Sequence, residues 1–360
     1  MKIDYKLLVS VIILSLFGIL MIYSSSEIWA KYRFNDSFRF LKMQTLFFII
    51  GLIVIYFISK IDYLFYYKYS NKIFLICLIL LILVLIPGIG SVRNGSRSWF
   101  GIGGFGIQPS EFMKLAMIIY TSKYLTNNQK EIKNIKKGVF PLLIILSIIS
   151  ILIMLEPDLG TLSIIIMTVI SLLFISGVNL KFFTKIFYFM LAALSILILI
   201  EPYRIKRITA FLNPWSDPLG SGFQSIQSMY AIGPGGLLGM GLFNSIQKHF
   251  YLPEPQTDFI FSIISEELGI FGIIIVASLL FYIIKRIIII SIKSNDLFSK
   301  YLSFSIAFSI AFQSILNLSV VVGLIPVTGV TLPFLSYGGS SLLITMISIG
   351  IVLNISRNNS

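Results

Sequence analysis

The sequence predicts an all-α protein that crosses a membrane about ten times. Hydrophobic residues make up 57% of its 360 residues and charged residues only 12%, whereas about a quarter of a soluble domain is charged. The mean hydropathy is +0.94. Apolar residues also cluster in runs that are long enough, or nearly so, to cross about 30 Å of hydrocarbon as helices. Composition and pattern therefore agree on a polytopic membrane protein.

Ten apolar runs are the predicted membrane spans. They cover residues 7–23, 41–58, 73–87, 110–125, 138–155, 160–177, 186–200, 260–284, 301–323 and 340–355. The first run is expected to stay as a helix, because Tyr23-Ser-Ser-Ser-Glu27 after it lacks the small-residue cleavage site of a signal peptide. Residues 201–259 are predicted to form one large extracytoplasmic loop between helices 7 and 8, within a single transmembrane domain of residues 1–360.

Basic residues orient the predicted bundle. With both termini cytoplasmic, 17 of the 28 Lys and Arg residues fall on the inner side, as the positive-inside rule requires. Most acidic residues then lie on or near the outer face, so we expect the ionisable chemistry to face outward. The net charge of +13 is better explained by loops facing anionic lipid than by nucleic acid. A single cysteine, Cys77, excludes a disulfide within the chain.

The first of three notable outer segments runs from Arg93 to Lys114 and holds five glycines. The sequence predicts no strand before these glycines, and no acidic residue follows them at the right place, so they are not interpreted as a dinucleotide-binding fingerprint. Glu111 and Lys114 are three residues apart and can pair on one helix face. Two interpretations stay open: a structural ion pair, or cations at Lys114 and Arg97 that hold a phosphate-bearing substrate.

The second and third outer segments are residues 201–259 and 327–341. In the second, four apolar residues at helical spacing predict a short interfacial helix, namely Phe223, Ile226, Met229 and Tyr230. The glycine-rich run from Gly233 to Gly241 is interpreted as a hinge, a tight helix contact or a plain loop rather than as a phosphate cradle. In the third, prolines, glycines and hydroxyls favour irregular backbone beside a polar cavity. A substrate groove and an ordinary turn both fit it.

The stretch from Asn244 to Gly269 contains several of the few acidic residues of the chain. Asp258 directly precedes an apolar run, where it is either a catalytic carboxylate or a helix N-terminal acid that offsets the dipole. Glu254, between two prolines, either contacts substrate or a cation, or is a rigid turn residue. Glu266 and Glu267 fall inside the eighth helix, where a charge needs a partner such as Lys114.

The only histidine of the chain, His249, lies in the same stretch. We interpret it as a loop residue rather than a ligand, because no second histidine or cysteine is available nearby to complete a transition-metal site. The site residues therefore include no metal ligands.

Five motifs lie in order along nearly the whole chain. They are Gln108-Pro-Ser-Glu-x-x-Lys114, Gly222-Phe-Gln-Ser-x-Gln-Ser228, Tyr251-Leu-Pro-Glu-x-x-Thr-Asp-Phe-Ile-Phe261, Glu266-Glu-Leu-Gly269 and Pro326-x-Thr-Gly-x-x-Leu-Pro-Phe-x-Ser-Tyr-Gly-Gly-Ser-Ser341. Together they resemble the SEDS family, the RodA and FtsW cell-wall proteins, with the FtsW and SpoVE branch closer than RodA.

The resemblance implies a peptidoglycan glycosyltransferase in the cytoplasmic membrane. Such an enzyme polymerises lipid II on the outer face and releases undecaprenyl diphosphate, in division, sporulation or cell shape. The resemblance makes Asp258 the catalytic carboxylate. We predict as substrate-binding residues Arg97, Trp99, Glu111, Lys114, Glu254, Glu267 and Ser336. A divalent cation, Mg²⁺ or Mn²⁺, is the one candidate cofactor.

The implied partners are lipid II, the undecaprenyl-diphosphate-linked glycan, a class B penicillin-binding protein and other divisome or elongasome proteins. Two other classes of function stay open. A lipid II flippase would also need a polar cavity, although the sequence has no inverted repeat of the kind that transporters contain. A non-catalytic divisome scaffold would need no carboxylate at Asp258.

Overall fold

The computed structural model describes residues 3–93, 96–101, 106–200 and 202–358, and it is almost entirely helical. The helices in these ranges are α1 Tyr5–Phe34, α2 Arg39–Ile58, α3 Leu64–Leu85, α4 Pro109–Asn127, α5 Phe140–Leu155, α6 Leu159–Ile175, α7 Leu180–Ile200, α8 Pro202–Leu212, α9 Phe223–Ile232, α10 Ile260–Ile292, α11 Leu297–Val321 and α12 Gly339–Asn358. Two short strands, β1 Ser91–Arg93 and β2 Ser96–Trp99, form an antiparallel hairpin.

Every predicted apolar run overlaps a helix, which confirms the all-α membrane architecture. Among the described residues, seven helical segments are long and apolar enough to cross a membrane; they are α1, α2, α3, α5 with the turn before it, α10, α11 and α12. Helix α6 is apolar but has only 17 residues. The number of crossings, ten, and the cytoplasmic position of the termini therefore stay predictions.

Helix starts follow the local sequence. Asp4, Asp158 and Asp296 cap α1, α6 and α11, because each carboxylate accepts a hydrogen bond from a backbone amide of the first turn. Proline occupies the first turn of α4 and of α5, where its missing amide hydrogen costs nothing. These caps fix where the polar connections leave the apolar bundle.

Two clusters of buried apolar side chains form the core, and α4 contributes to both. Leu115 and Ile118 pack into the larger cluster with α1, α2, α10, α11 and α12. Met113 and Met117 pack into the smaller one with α3, α5 and α6. Helix α4 is therefore central to the bundle, and Glu111 and Lys114 lie in the first two turns of a helix that is packed from both sides.

Helix α10 is interrupted at Gly269, where the backbone turns to φ +60° and ψ −150°. The interruption frees backbone polar groups that must find other partners away from water. The glycine-rich run supplies them through three hydrogen bonds of 2.9, 3.0 and 3.0 Å: from Met240 to the Glu266 carbonyl, from Gly241 to the Glu267 carbonyl, and from Ile270 to the Gly236 carbonyl. Of the interpretations left open, the run is thus a tight contact with a helix.

The outer loop is more structured than the sequence predicted. Helix α9 forms where the short helix was expected, but Met229 and Tyr230 of its apolar side are exposed while Ser228 is buried. The Ser228 hydroxyl is hydrogen-bonded to Ser262 and to the Val321 carbonyl. Helix α9 is therefore fastened to α10 and α11 through a polar contact. Helix α8 was not predicted.

The hairpin is fastened to the connection between α5 and α6. The Ser96 hydroxyl donates a hydrogen bond to the Glu156 carbonyl. The Glu156 side chain is buried, and neither carboxylate oxygen has a hydrogen-bond partner among the residues that the structure describes. Burial raises the pKa of Glu156 to about 9, and the nearby Asp158 carboxylate adds to the rise. Burial therefore favours the protonated form of Glu156.

We expect Gly239→Ala to destabilise the protein more than Gly177→Ala does. Both glycines have a positive φ, +77° and +90°, which costs a residue with a Cβ about 1–2 kcal/mol. A Cβ at Gly239 would also lie 2.1 Å from the Glu267 carbonyl oxygen, whereas at Gly177 nothing lies within 4 Å. Thermal unfolding in detergent measures the difference, and equal losses would contradict the close contact.

We expect the unfolding temperature of the parent to fall relative to that of Glu156→Gln as the pH rises from 5 to 8. The pKa of Glu156 is about 9 in the folded protein against an ordinary value of 4.5. Folding thus requires a proton that the unfolded chain has lost above pH 4.5, so stability is highest below that pH and decreases toward 9. Thermal scans at several pH values, with the exposed Glu131→Gln as control, should show a gap of a few degrees at pH 8; a constant gap would contradict it.

Candidate active site

Asp258 directly precedes Phe259, the N-cap residue of α10, and is partly exposed. The Thr257 hydroxyl donates a hydrogen bond of 2.9 Å to its Oδ1 atom. The Asn317 side-chain amide of α11 donates to the Asp258 carbonyl and to the Val330 carbonyl, at 2.7 Å each. A single buried amide on α11 thus holds Asp258 beside the 327–341 segment.

The polar face of α11 continues one turn further with Gln313. Its amide nitrogen donates to the Thr331 carbonyl at 3.0 Å, and its oxygen accepts from Lys114 Nζ at 2.8 Å. A second hydrogen bond joins the 327–341 segment to the stretch around Asp258. The Tyr337 backbone amide donates it to the Gln256 carbonyl, at 2.8 Å. The structure therefore brings together stretches that the sequence separates by up to about two hundred residues.

Glu111 and Lys114 form the predicted ion pair, at 2.9 Å between Oε2 and Nζ, and both side chains are buried. With Gln313 they form a hydrogen-bonded row from α4 to α11. Lys114 and Gln313 also line a small cavity of about 20 Å³ between α4, α11 and α12, together with polar Ser309, Thr345 and Ser348. A polar cavity of this size can hold one water molecule.

The 327–341 segment also reaches the first outer segment. The Ser340 hydroxyl accepts a hydrogen bond from the Gln108 amide and donates one to the Gly106 carbonyl. Ser336 is buried, and its hydroxyl accepts from the Leu332 amide at 2.8 Å. Ser336 thus stabilises the turn in which it lies, and its predicted contact with substrate stays a prediction.

Arg97 and Trp99 lie on β2, which contacts α3 and the start of α4. Both are partly exposed. The Arg97 Nε atom is buried and has no hydrogen-bond partner among the described residues. Residues 102–105, which include part of the glycine-rich stretch of this segment, lie outside the described ranges.

Glu266 and Glu267 are fully buried beside the interruption of α10, and their predicted partner was wrong. Lys114 pairs with Glu111 instead, and Glu267 has an ion pair with Lys248 at 3.6 Å. Glu266 accepts hydrogen bonds from the Ser245 hydroxyl and from the Ile246 amide. Lys248 was not predicted as a partner, although two carboxylates inside an apolar helix require nearby donors and Lys248 lies in the same stretch.

Glu254 and His249 lie on the same loop as Asp258. Glu254 has a positive φ of 44° and is partly exposed, which fits both a turn residue and a substrate contact. His249 is exposed. In the part of the chain that the structure describes, no three His, Cys, Asp or Glu side chains are grouped as metal ligands. The residues present thus do not fit a tightly held resident metal.

The comparisons with known proteins agree with this geometry. The FtsW/RodA/SpoVE family model, described as "Cell cycle protein", matches residues 5–360. Stage V sporulation protein E of Bacillus subtilis (strain 168) is 51% identical over 354 residues, which cover 98% of this chain and 97% of that protein. The probable peptidoglycan glycosyltransferase FtsW of Geobacter sp. (strain M18) is 39% identical over 353 residues, covering 98% and 96%.

Solved structures show the same fold. A chain from "Structural coordination of polymerization and crosslinking by a peptidoglycan synthase complex" aligns with a TM-score of 0.82 and 27% identity, covering 100% of this chain and 99% of that one. The rod shape determining protein RodA of Thermus thermophilus aligns with a TM-score of 0.74 and 25% identity, covering 100% and 98%. Sequence, fold and motif geometry lead to one conclusion: this chain belongs to the FtsW/RodA/SpoVE family, the SEDS family that its motifs resemble.

Proposed function

We propose that this protein is a peptidoglycan glycosyltransferase that polymerises lipid II at the outer face of the cytoplasmic membrane and releases undecaprenyl diphosphate. The observation that carries the proposal is the position of Asp258, a partly exposed carboxylate whose backbone is fixed to α11. The FtsW relatives, which are named as probable peptidoglycan glycosyltransferases, support it.

In the proposed reaction, the C4 hydroxyl of an incoming lipid II attacks the anomeric carbon of the growing strand. Asp258 takes the hydroxyl proton as the new glycosidic bond forms. The bond between the anomeric carbon and the diphosphate oxygen breaks, and undecaprenyl diphosphate leaves with the electron pair. A positioned general base contributes about 10²- to 10⁴-fold to such a step. Because diphosphate is a good leaving group, no second carboxylate is needed as an acid.

Lys114 and Arg97 are the cations that we assign to the diphosphate. Lys114 Nζ donates to Glu111 and to Gln313, and an ammonium group has three donors. The cavity beside it is large enough for one water molecule, so we propose that the Lys114 charge acts on the diphosphate across this cavity. The Arg97 Nε atom has no hydrogen-bond partner among the described residues, and a buried donor of this kind is costly unless a ligand satisfies it. A phosphate oxygen would provide that partner.

We assign no step to a resident metal, because the described side chains do not group three ligands. A divalent cation, Mg²⁺ or Mn²⁺, would instead enter with the diphosphate, whose charge it neutralises. As partner we propose a class B penicillin-binding protein, since a similar chain occurs in a peptidoglycan synthase complex that combines polymerization and crosslinking. Other divisome or elongasome proteins would select between roles in division, sporulation and cell shape.

We expect Asp258→Asn to abolish polymerisation of lipid II while leaving the protein folded. The purified parent and variant are incubated with lipid II and a divalent cation, alone and with the cognate transpeptidase, and the glycan is resolved on a gel. Asp217→Asn is the matched control: Asp217 lies in the same outer loop, is exposed, and accepts hydrogen bonds from Ser221 of its own turn. This control should polymerise at the parent rate.

Three outcomes would contradict the assignment. Polymer from Asp258→Asn at the parent rate would remove Asp258 as the base. A parent that makes no polymer with its partner, but moves lipid II across vesicles, would favour the flippase; a parent that does neither, and whose Asp258→Asn variant supports growth, would favour the scaffold.

A second test separates the two interpretations of Lys114. Lys114→Met alone should impair folding, because it leaves Glu111 buried and unpaired, at a cost of about 3–5 kcal/mol. The double variant Glu111→Gln/Lys114→Met removes both charges and should regain the parent amount of monodisperse protein. We expect this double variant to remain at least about 100-fold slower in polymerisation, because the diphosphate loses its cation. Recovery of activity together with folding would show that the pair is only structural.

A further inference from the structure

Lys248 is a buried lysine whose donors are all directed at the protein. Only about 3% of its surface is exposed. Its Nζ atom lies 2.7 Å from the Phe243 carbonyl, 3.1 Å from Glu27 Oε1 on α1 and 3.6 Å from Glu267 Oε1 on α10. Two of these acceptors, Phe243 and Glu27, are hydrogen-bonded, and Glu267 adds an ion pair that is too long for a hydrogen bond. Because Lys248 is buried and surrounded by these three oxygen atoms, it is not open to a diphosphate.

The Glu267 carboxylate accepts hydrogen bonds at both of its oxygen atoms. The Ser24 hydroxyl lies 2.6 and 2.7 Å from its two carboxylate oxygens, and the Ser245 amide lies 3.3 Å from Oε1. The side chain is wholly buried. We call Ser24, Glu27, Lys248 and Glu267 the Lys248 clasp, because together they join α1, the outer loop and α10.

The clasp closes a short ring of chain that contains Asp258. The ring begins at Lys248, which is fastened to α10 near the interruption at Gly269. It ends at Ile260, where α10 itself begins. Residues 249–259 therefore connect two points of the same helix, and Asp258 lies near the end of this ring. Loss of the first attachment would free one end of the ring.

We infer that Lys248 and Glu267 are positioning residues that hold the ring so that Asp258 meets the attacking hydroxyl. The inference rests on the proposed function. It replaces the predicted contact between Glu267 and substrate with an action through the loop. The clasp and the amide of Asn317 restrain the ring from opposite ends, since Asn317 binds the Asp258 carbonyl. Both restraints are needed because a base displaced by about 1 Å loses about 10²-fold in rate.

The test uses Lys248→Met, Glu267→Gln and the double variant Lys248→Met/Glu267→Gln. The control is Lys42→Met, which removes an exposed ion pair of 2.9 Å with Asp36. Loop mobility is read from a spin label on Tyr251→Cys in a Cys77→Ser background, since Tyr251 is 51% exposed and Cys77 is the only native cysteine. Kinetic constants for lipid II are measured on the unlabelled variants.

We expect the clasp variants to lower kcat by about 10- to 100-fold, with KM for lipid II within about twofold of the parent, and to increase label mobility. The double variant removes the charges of both Lys248 and Glu267, and the remaining partner Glu27 is partly exposed, so this variant should regain the parent amount of folded protein and keep the low kcat. Lys42→Met should match the parent in every measurement. Asp258→Asn should lose activity without any change in label mobility.

Two results would overturn the inference. One is parent-like kcat and label mobility in the folded double variant. The other is a tenfold or larger increase in KM with kcat unchanged, which would mean that the clasp residues contact substrate. If the parent makes no polymer at all, the proposed function fails, and label mobility alone still decides whether the clasp holds the loop.

Discussion

Polar groups inside this bundle have to be satisfied by the protein, because lipid offers no hydrogen bonds. That constraint accounts for the arrangement of α10 and of the loop that precedes it. Helix α10 is interrupted at Gly269 only where a loop supplies replacement backbone partners, and the buried acids beside the interruption are bonded to hydroxyls, amides and one lysine. The irregular loop and the broken helix therefore depend on each other.

The same constraint builds the candidate site. Gln313 and Asn317, one turn apart on α11, are amides that a lipid-facing helix could not tolerate, and each bonds the irregular 327–341 segment. Each amide also holds a residue of the candidate site. Gln313 accepts a hydrogen bond from Lys114, and Asn317 donates one to the backbone carbonyl of Asp258. One polar helix face thus sets the relation between the proposed cation and the proposed base.

Local parts of this arrangement could be predicted from the sequence, and long-range parts could not. Apolar runs identify helices, and a spacing of three identifies the pair of Glu111 with Lys114. The partner of Glu267 depends on how the outer loop folds back over α10, which no periodicity encodes. The predicted partner Lys114 was wrong for this reason: charge alone shows that an acid needs a cation but does not distinguish between two lysines.

Lys114 and Lys248 show how one residue type acquires two roles in the same site. Both are buried lysines near acids on the outer side. Lys248 contacts three acceptors that belong to three separate parts of the fold, whereas Lys114 is bonded to two and lines a polar cavity. Each lysine uses two of its three donors in hydrogen bonds. The two lysines differ in what surrounds the remaining donor, which is the Glu267 carboxylate at 3.6 Å for Lys248 and a polar cavity for Lys114. These surroundings, rather than burial or charge, separate a positioning lysine from one that can act on a substrate.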